Sequence, residues 1–199
     1  MTSTHSAIRI RLRYFLRGRL KIDGRTSRTL VRLDRWAATV VAEGFDAAIA
    51  EIPGAKDSES VPDVIREIAD YLTKNVKGLR GDVLRKSLQE TLFFTLGTRS
   101  DRVGSRLHCP LTHFLRRRGS GLLRRFLRLH LFNVVWLEAS ESFRAVAQTQ
   151  NSFVQDMESV ERVCQRIVDS AWRSQKIRGK LDRSAARELI NRIEQLINS

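Results

Sequence analysis

Residues 121–172 read GLLRRFLRLHLFNVVWLEASESFRAVAQTQNSFVQDMESVERVCQRIVDSAW, and no glycine or proline follows Gly121 until Gly179. One seam runs through the stretch: Leu129, Phe132, Trp136, Ala139, Phe143, Val146, Gln150, Phe153, Met157, Val160, Cys164, Ile167 and Ala171. Its steps alternate between three and four residues, the spacing of a heptad seam, and every member but Gln150 is apolar. The pattern predicts one long C-terminal helix over about 121–172, roughly 75 Å long at 1.5 Å per residue. TQNS at 149–152 is its weakest place. Residues 129–137 are apolar on nearly every side, so they belong at the centre of a bundle. The rest of the seam needs a partner helix, from this chain or from a second copy.

Upstream, the signals are also helical. Leu30, Leu33, Ala37, Val40, Val41, Phe45, Ala48 and Ile52 recur at helical spacing until Pro53-Gly54. Ser60 caps the next helix, with Pro62 in its first turn, acids early, Lys74 and Lys77 late and Gly78 at the close. Asp82 reads as the cap of a helix ending at Gly97, and Asp182 as the cap of a last helix through Ile197. A short helix is expected from Pro110 to Arg118.

The N-terminal IRIRLRYFLRGRLKI, residues 8–22, alternates apolar and basic positions. Period 2 favours a β-hairpin turning at Arg17-Gly18-Arg19, and a helix from Ser6 to Leu20 is the alternative. The expected architecture is therefore mainly α: a basic N-terminal ribbon or arm over 1–25, then one helical-bundle domain over 26–199.

Charge narrows the choice of partner. The 199 residues hold 36 Lys and Arg against 22 Asp and Glu, a net charge of +14. The excess is blocky. Residues 1–35 carry ten cations and two acids, 36–73 two cations and eight acids, and 99–130 nine cations and one acid. Arginine dominates, at 29 of the 36. Its planar fork suits phosphate, and a GC-rich genome is the bland source of the same bias.

Two constellations follow from these blocks. In LRRRGSGLLRRFLRLH, residues 115–130, Arg116, Arg117 and Arg118 end the short helix and Gly119-Ser120-Gly121 opens the long one. Arg124, Arg125 and Arg128 then fall in its first two turns, where cations oppose the helix dipole. An external anion would meet free amides and a flexible turn there. The second constellation is Arg9, Arg11, Arg13, Arg17 and Arg19, which share one side of a strand. Both predict a phosphate-backbone site; the alternatives are a solvated basic loop or pairing with the acidic 36–73 segment for the first, and a solvent face guarding an edge strand or a surface for lipid phosphates for the second. Tyr14 and Phe15 sit among these arginines and could stack on bases; the other aromatics mostly read as core.

No nucleotide loop, GxSxG or HExxH motif occurs, so no cofactor and no catalytic residue is predicted. His108, Cys109 and His113 offer three zinc ligands where structural zinc takes four, and no second pair exists. Arg125-(x4)-His130 resembles the R-x4–6-H signature of the helical HEPN ribonucleases over six residues, with Phe126 where that family commonly carries a polar residue. The resemblance implies RNA cleavage by Arg125 and His130 in a composite site across a dimer. Two cysteines and no long apolar run point to a reducing compartment, the cytoplasm, and to no membrane span.

The leading expectation is a non-enzymatic subunit of a larger complex that binds DNA or RNA backbone without reading sequence. A helical scaffold that grips an acidic protein partner, or a second copy, through the 129–171 seam is the alternative.

Overall fold

The computed structural model describes residues 24–58, 60–96, 105–147, 149–175, 177 and 180–198, with side-chain surroundings for all of these except 105–114, 116–119 and 146. Among them are seven helices and no strand: α1 Gly24–Glu43, α2 Phe45–Ala50, α3 Val61–Leu72, α4 Leu79–Leu96, α5 Ser105–Val146, α6 Gln150–Ser174 and α7 Arg183–Asn198. They form a helical bundle around α5, which packs against α1, α2, α4 and α6. The N-terminal ribbon, with its five arginines, lies outside the described residues.

The helix expected from Thr29 to Ile52 starts earlier and breaks at Gly44, where φ is 98°. That turn aims Phe45, Ala48 and Ile49 into the core. Ser60 caps α3 as its sequence predicts, accepting from the Asp63 amide at 3.3 Å. The helix ends at Leu72 rather than at Gly78. Residues 73–78 make a turn with positive φ at Asn75 and Gly78. The turn then closes on α4: a Cβ on Gly81 would stand 2.6 Å from the Val76 carbonyl oxygen. This close approach starts α4 at Leu79, so Asp82 sits in its first turn and is not its cap. Asp182 does meet α7, accepting from the Ala185 amide at 2.8 Å.

The largest corrections concern the C-terminal half. Gly119-Ser120-Gly121 does not open a helix: α5 runs unbroken through it, absorbing the short helix expected from Pro110 to Arg118. Leu115, Leu122 and Leu123 are all buried at 3% exposure or less. Their shared burial outweighs the roughly 1 kcal/mol that each glycine costs a helix interior. The single helix over 121–172 is not found either. The chain leaves helix at Ala147, and Thr149 starts α6 with a reciprocal cap: it accepts from the Ser152 amide at 3.1 Å and Ser152 Oγ accepts from the Thr149 amide at 3.0 Å.

The seam thereby finds its partner inside the chain. Trp136 meets Phe153 edge-on at 5.8 Å, and Ala139, Phe143, Met157, Val160 and Cys164 are buried where α5 and α6 fold together. Of the stretch 129–137, Trp136 and Leu137 stay exposed and the rest is buried or half-buried. Polar ties fix the helices around α5. Asn133 donates to Ser87 Oγ at 3.1 Å and to Glu90 at 2.8 Å, and Thr26 Oγ1 meets His130 Nε2 at 3.1 Å.

Candidate nucleic-acid interface

The predicted arginine cluster lies on α5, but not at a helix start. A continuous helix has no free amides at Gly119–Gly121, so the dipole argument for an anion there fails. What α5 offers is a face: positions 117, 124 and 128 fall within about 40° of one another at 3.6 residues per turn. Ser120 is exposed and Gly121 half-buried between them. The side chains of Arg116, Arg117 and Arg118 lie outside the description.

Arg128 is neutralised from within, its guanidinium meeting Asp169 of α6. Arg125 is exposed and lies over the ring of Phe94, 5.2 Å from its centroid. Arg124 is half-buried, with its Nε unpaired among the described residues.

Arg125 and His130 do not form a pair. His130 is 5% exposed, bonded to Thr26 and stacked on Phe126 at 5.8 Å, while Arg125 faces α4. Five residues separate the two by about 140° around the helix. Within one chain the short resemblance therefore has no geometric counterpart. His108, Cys109 and His113 lie among residues without described side chains, and no three metal-ligating groups cluster among the described residues. Burial pushes the Cys164 thiol up, with the charge of Glu161 adding to the effect, so it stays protonated in the core.

A second basic region emerges that sequence alone did not assemble. Arg25 and Arg28 stand exposed in the first turns of α1. Across from them, Lys74, Lys77 and Arg80 stand exposed along the α3–α4 turn. Arg32 locks the two parts together by donating to the Leu72 and Lys74 carbonyls at 3.2 and 3.1 Å, where a cation also suits the end of α3. Arg25 and Arg80 line one small hollow with Thr26, His130 and Glu138. Of the acids near this edge, Asp70 and Asp82 both pair with Arg85.

The signal for this edge was present as Arg25, Arg28, Arg32 and Arg35, which share a helical face at steps of three and four. A helix beginning at Thr29 leaves out the first two of these arginines, whereas α1 begins at Gly24. In sequence alone, Lys74 and Lys77 are favourable charges at a helix end.

From this edge a groove runs between α3 and α4. Its first part, about 460 Å³, is lined by Lys74, Lys77, Arg66, Arg85 and Gln89. Arg66 and Gln89 also line the second part, about 380 Å³, together with Pro62, Ile65, Phe93 and Phe94. Phe93 and Phe94 are 42% and 62% exposed, so the reading of these rings as core is corrected. No family model, curated protein or solved structure matches the chain, and the geometry of these surfaces carries the functional reading alone. No described helix is long and apolar enough to cross a membrane.

Proposed function

We propose that this protein binds nucleic-acid backbone without reading sequence, as a non-enzymatic subunit of a larger cytoplasmic complex. The observation that carries the reading is the convergence of Arg28, Lys74 and Lys77, all exposed, from two separate parts of the chain on one edge. Burial energetics do not explain such a gathering, because like charges repel and the aliphatic stems stay in water. A polyanion repays it by releasing counterions. Arg9, Arg11, Arg13, Arg17 and Arg19 precede α1 in the chain and contribute five further cations. On α5, Arg125 and Arg124, with Arg116, Arg117 and Arg118 upstream, supply further contacts. Arg128 is already committed to Asp169 and is left out.

Phosphate contacts of this kind position a strand and carry no sequence information. Affinity for an oligonucleotide should therefore be indifferent to its sequence and fall steeply between about 50 and 200 mM salt. Replacing Arg28, Lys74 and Lys77 together by Ala should lower the slope of log affinity against log salt by about two to three for duplex DNA. No binding at low salt, or an unchanged slope in the triple variant, overturns the proposal.

A further inference from the structure

Resting on that reading, we infer that the strand bound is single-stranded, and that it lies in the α3–α4 groove with its bases stacked on Phe93 and Phe94. Two neighbouring phenylalanines at 42% and 62% exposure are costly to leave in water, and both line the same groove of about 380 Å³. Flat π faces are what an unpaired base can use and a base pair inside a duplex cannot.

The charges are arranged for the same ligand. Lys74 and Lys77 flank one end of the groove. At the other end Arg125 lies over the Phe94 ring, the pairing of guanidinium and aromatic that stacks bases and holds phosphate together. Between the ends the groove is nearly neutral. Arg66 is held by Asp63 and Glu67, and Arg85 by Asp70 and Asp82. That stretch offers the amide of Gln89 to base edges, while phosphates face outward toward the cations at the two ends.

Along α4 the run from Leu79 to Phe93 is about 21 Å, enough for on the order of four nucleotides. An apolar peptide would also cover the rings, but it would leave the cations at both ends of the groove unanswered.

The test is fluorescence anisotropy with a labelled oligo-dT strand and a duplex of mixed sequence and equal length. Wild type should bind the single strand more tightly than the duplex. Phe93→Ala and Phe94→Ala should each weaken single-strand binding roughly tenfold, with the salt slope and duplex binding unchanged. Phe94→Trp should restore the affinity. Both rings are exposed, so the variants should keep wild-type thermal stability, and a melting curve checks this.

If Phe93→Ala and Phe94→Ala leave single-strand binding untouched, stacking is overturned while backbone binding stands. If wild type binds neither probe, the backbone reading fails first. If instead the substitutions abolish a dimer seen by sedimentation, with no effect on either probe, the groove is a protein interface and the inference is wrong.

Discussion

On α5, Arg128 reaches Asp169 and Arg125 covers Phe94; along the edge of α1 and the α3–α4 turn, Arg28, Lys74 and Lys77 stand in water. The two regions hold similar residues in different numbers of neighbours. On α5 the charged row lies over buried Leu122, Leu123, Phe126 and Leu127, and α4 and α6 pack on either side within reach of long side chains. At the edge, Arg28, Lys74 and Lys77 are exposed, while Arg25 and Arg80 border α5 beside Glu138. An arginine therefore becomes part of the scaffold where a neighbouring helix offers a carboxylate, as Asp169 does for Arg128, and stays exposed where none does. Sequence charge shows how many such groups exist, and packing decides which of them remain available.

The contrast can be broken hardest from below. Phe126→Ala removes a side chain with no exposure from beneath the α5 row and also unstacks His130. It should cost about 3–5 kcal/mol in urea denaturation. Next comes Arg128→Ala, which leaves Asp169 half-buried without its partner. It should cost about 1–2 kcal/mol, against no more than about 0.5 kcal/mol for Arg28→Ala at the edge. Removing Asp169 as well should recover part of the loss. Equal costs for Arg128→Ala and Arg28→Ala would erase the distinction between the regions.

Smaller effects sharpen it. Thr149→Ala should cost about 1 kcal/mol by removing the cap that turns α5 into α6 and folds the seam on itself. Ser120→Ala tests the continuity of α5 by its sign. In a helix interior it should gain about 0.3–0.5 kcal/mol, whereas at a helix cap it would lose about 0.5–2 kcal/mol.

Asp34 gives a pH-dependent counterpart. Burial raises its carboxyl above the ordinary value, against the lowering effects of the Leu181 amide, which donates at 2.8 Å, and the charge of Lys180. Its folded form thus holds a proton more readily than the unfolded chain does. The carboxylate's contribution to stability falls as pH rises from about 4 through the raised value. Asp34→Asn keeps an acceptor for Leu181 and should raise the melting temperature relative to wild type more at pH 7 than at pH 4.

Much of the bundle was legible in the sequence because its signals are local. Ser60 and Asp182 cap the helices they precede, and TQNS marks the place where the seam turns back. What was not legible depends on distant contacts. Gly119-Ser120-Gly121 looks like a helix boundary until Leu115 and Leu122, seven residues apart on one face, are seen buried together. The start of α4 is set by Gly81 against the Val76 carbonyl, a contact no local pattern announces. The basic edge needed Arg32 bonded to Leu72 and Lys74 across about 40 positions before its two halves could be read as one surface.

The most direct measurement is the salt dependence of single-strand binding, taken side by side for wild type, for the Arg28, Lys74 and Lys77 triple alanine variant, and for Arg128→Ala. The account predicts a slope lowered by about two in the triple variant, at unchanged stability. It predicts an unchanged slope with a lower melting temperature in Arg128→Ala. A wild-type slope in the triple variant, or a flattened one in Arg128→Ala, would contradict it.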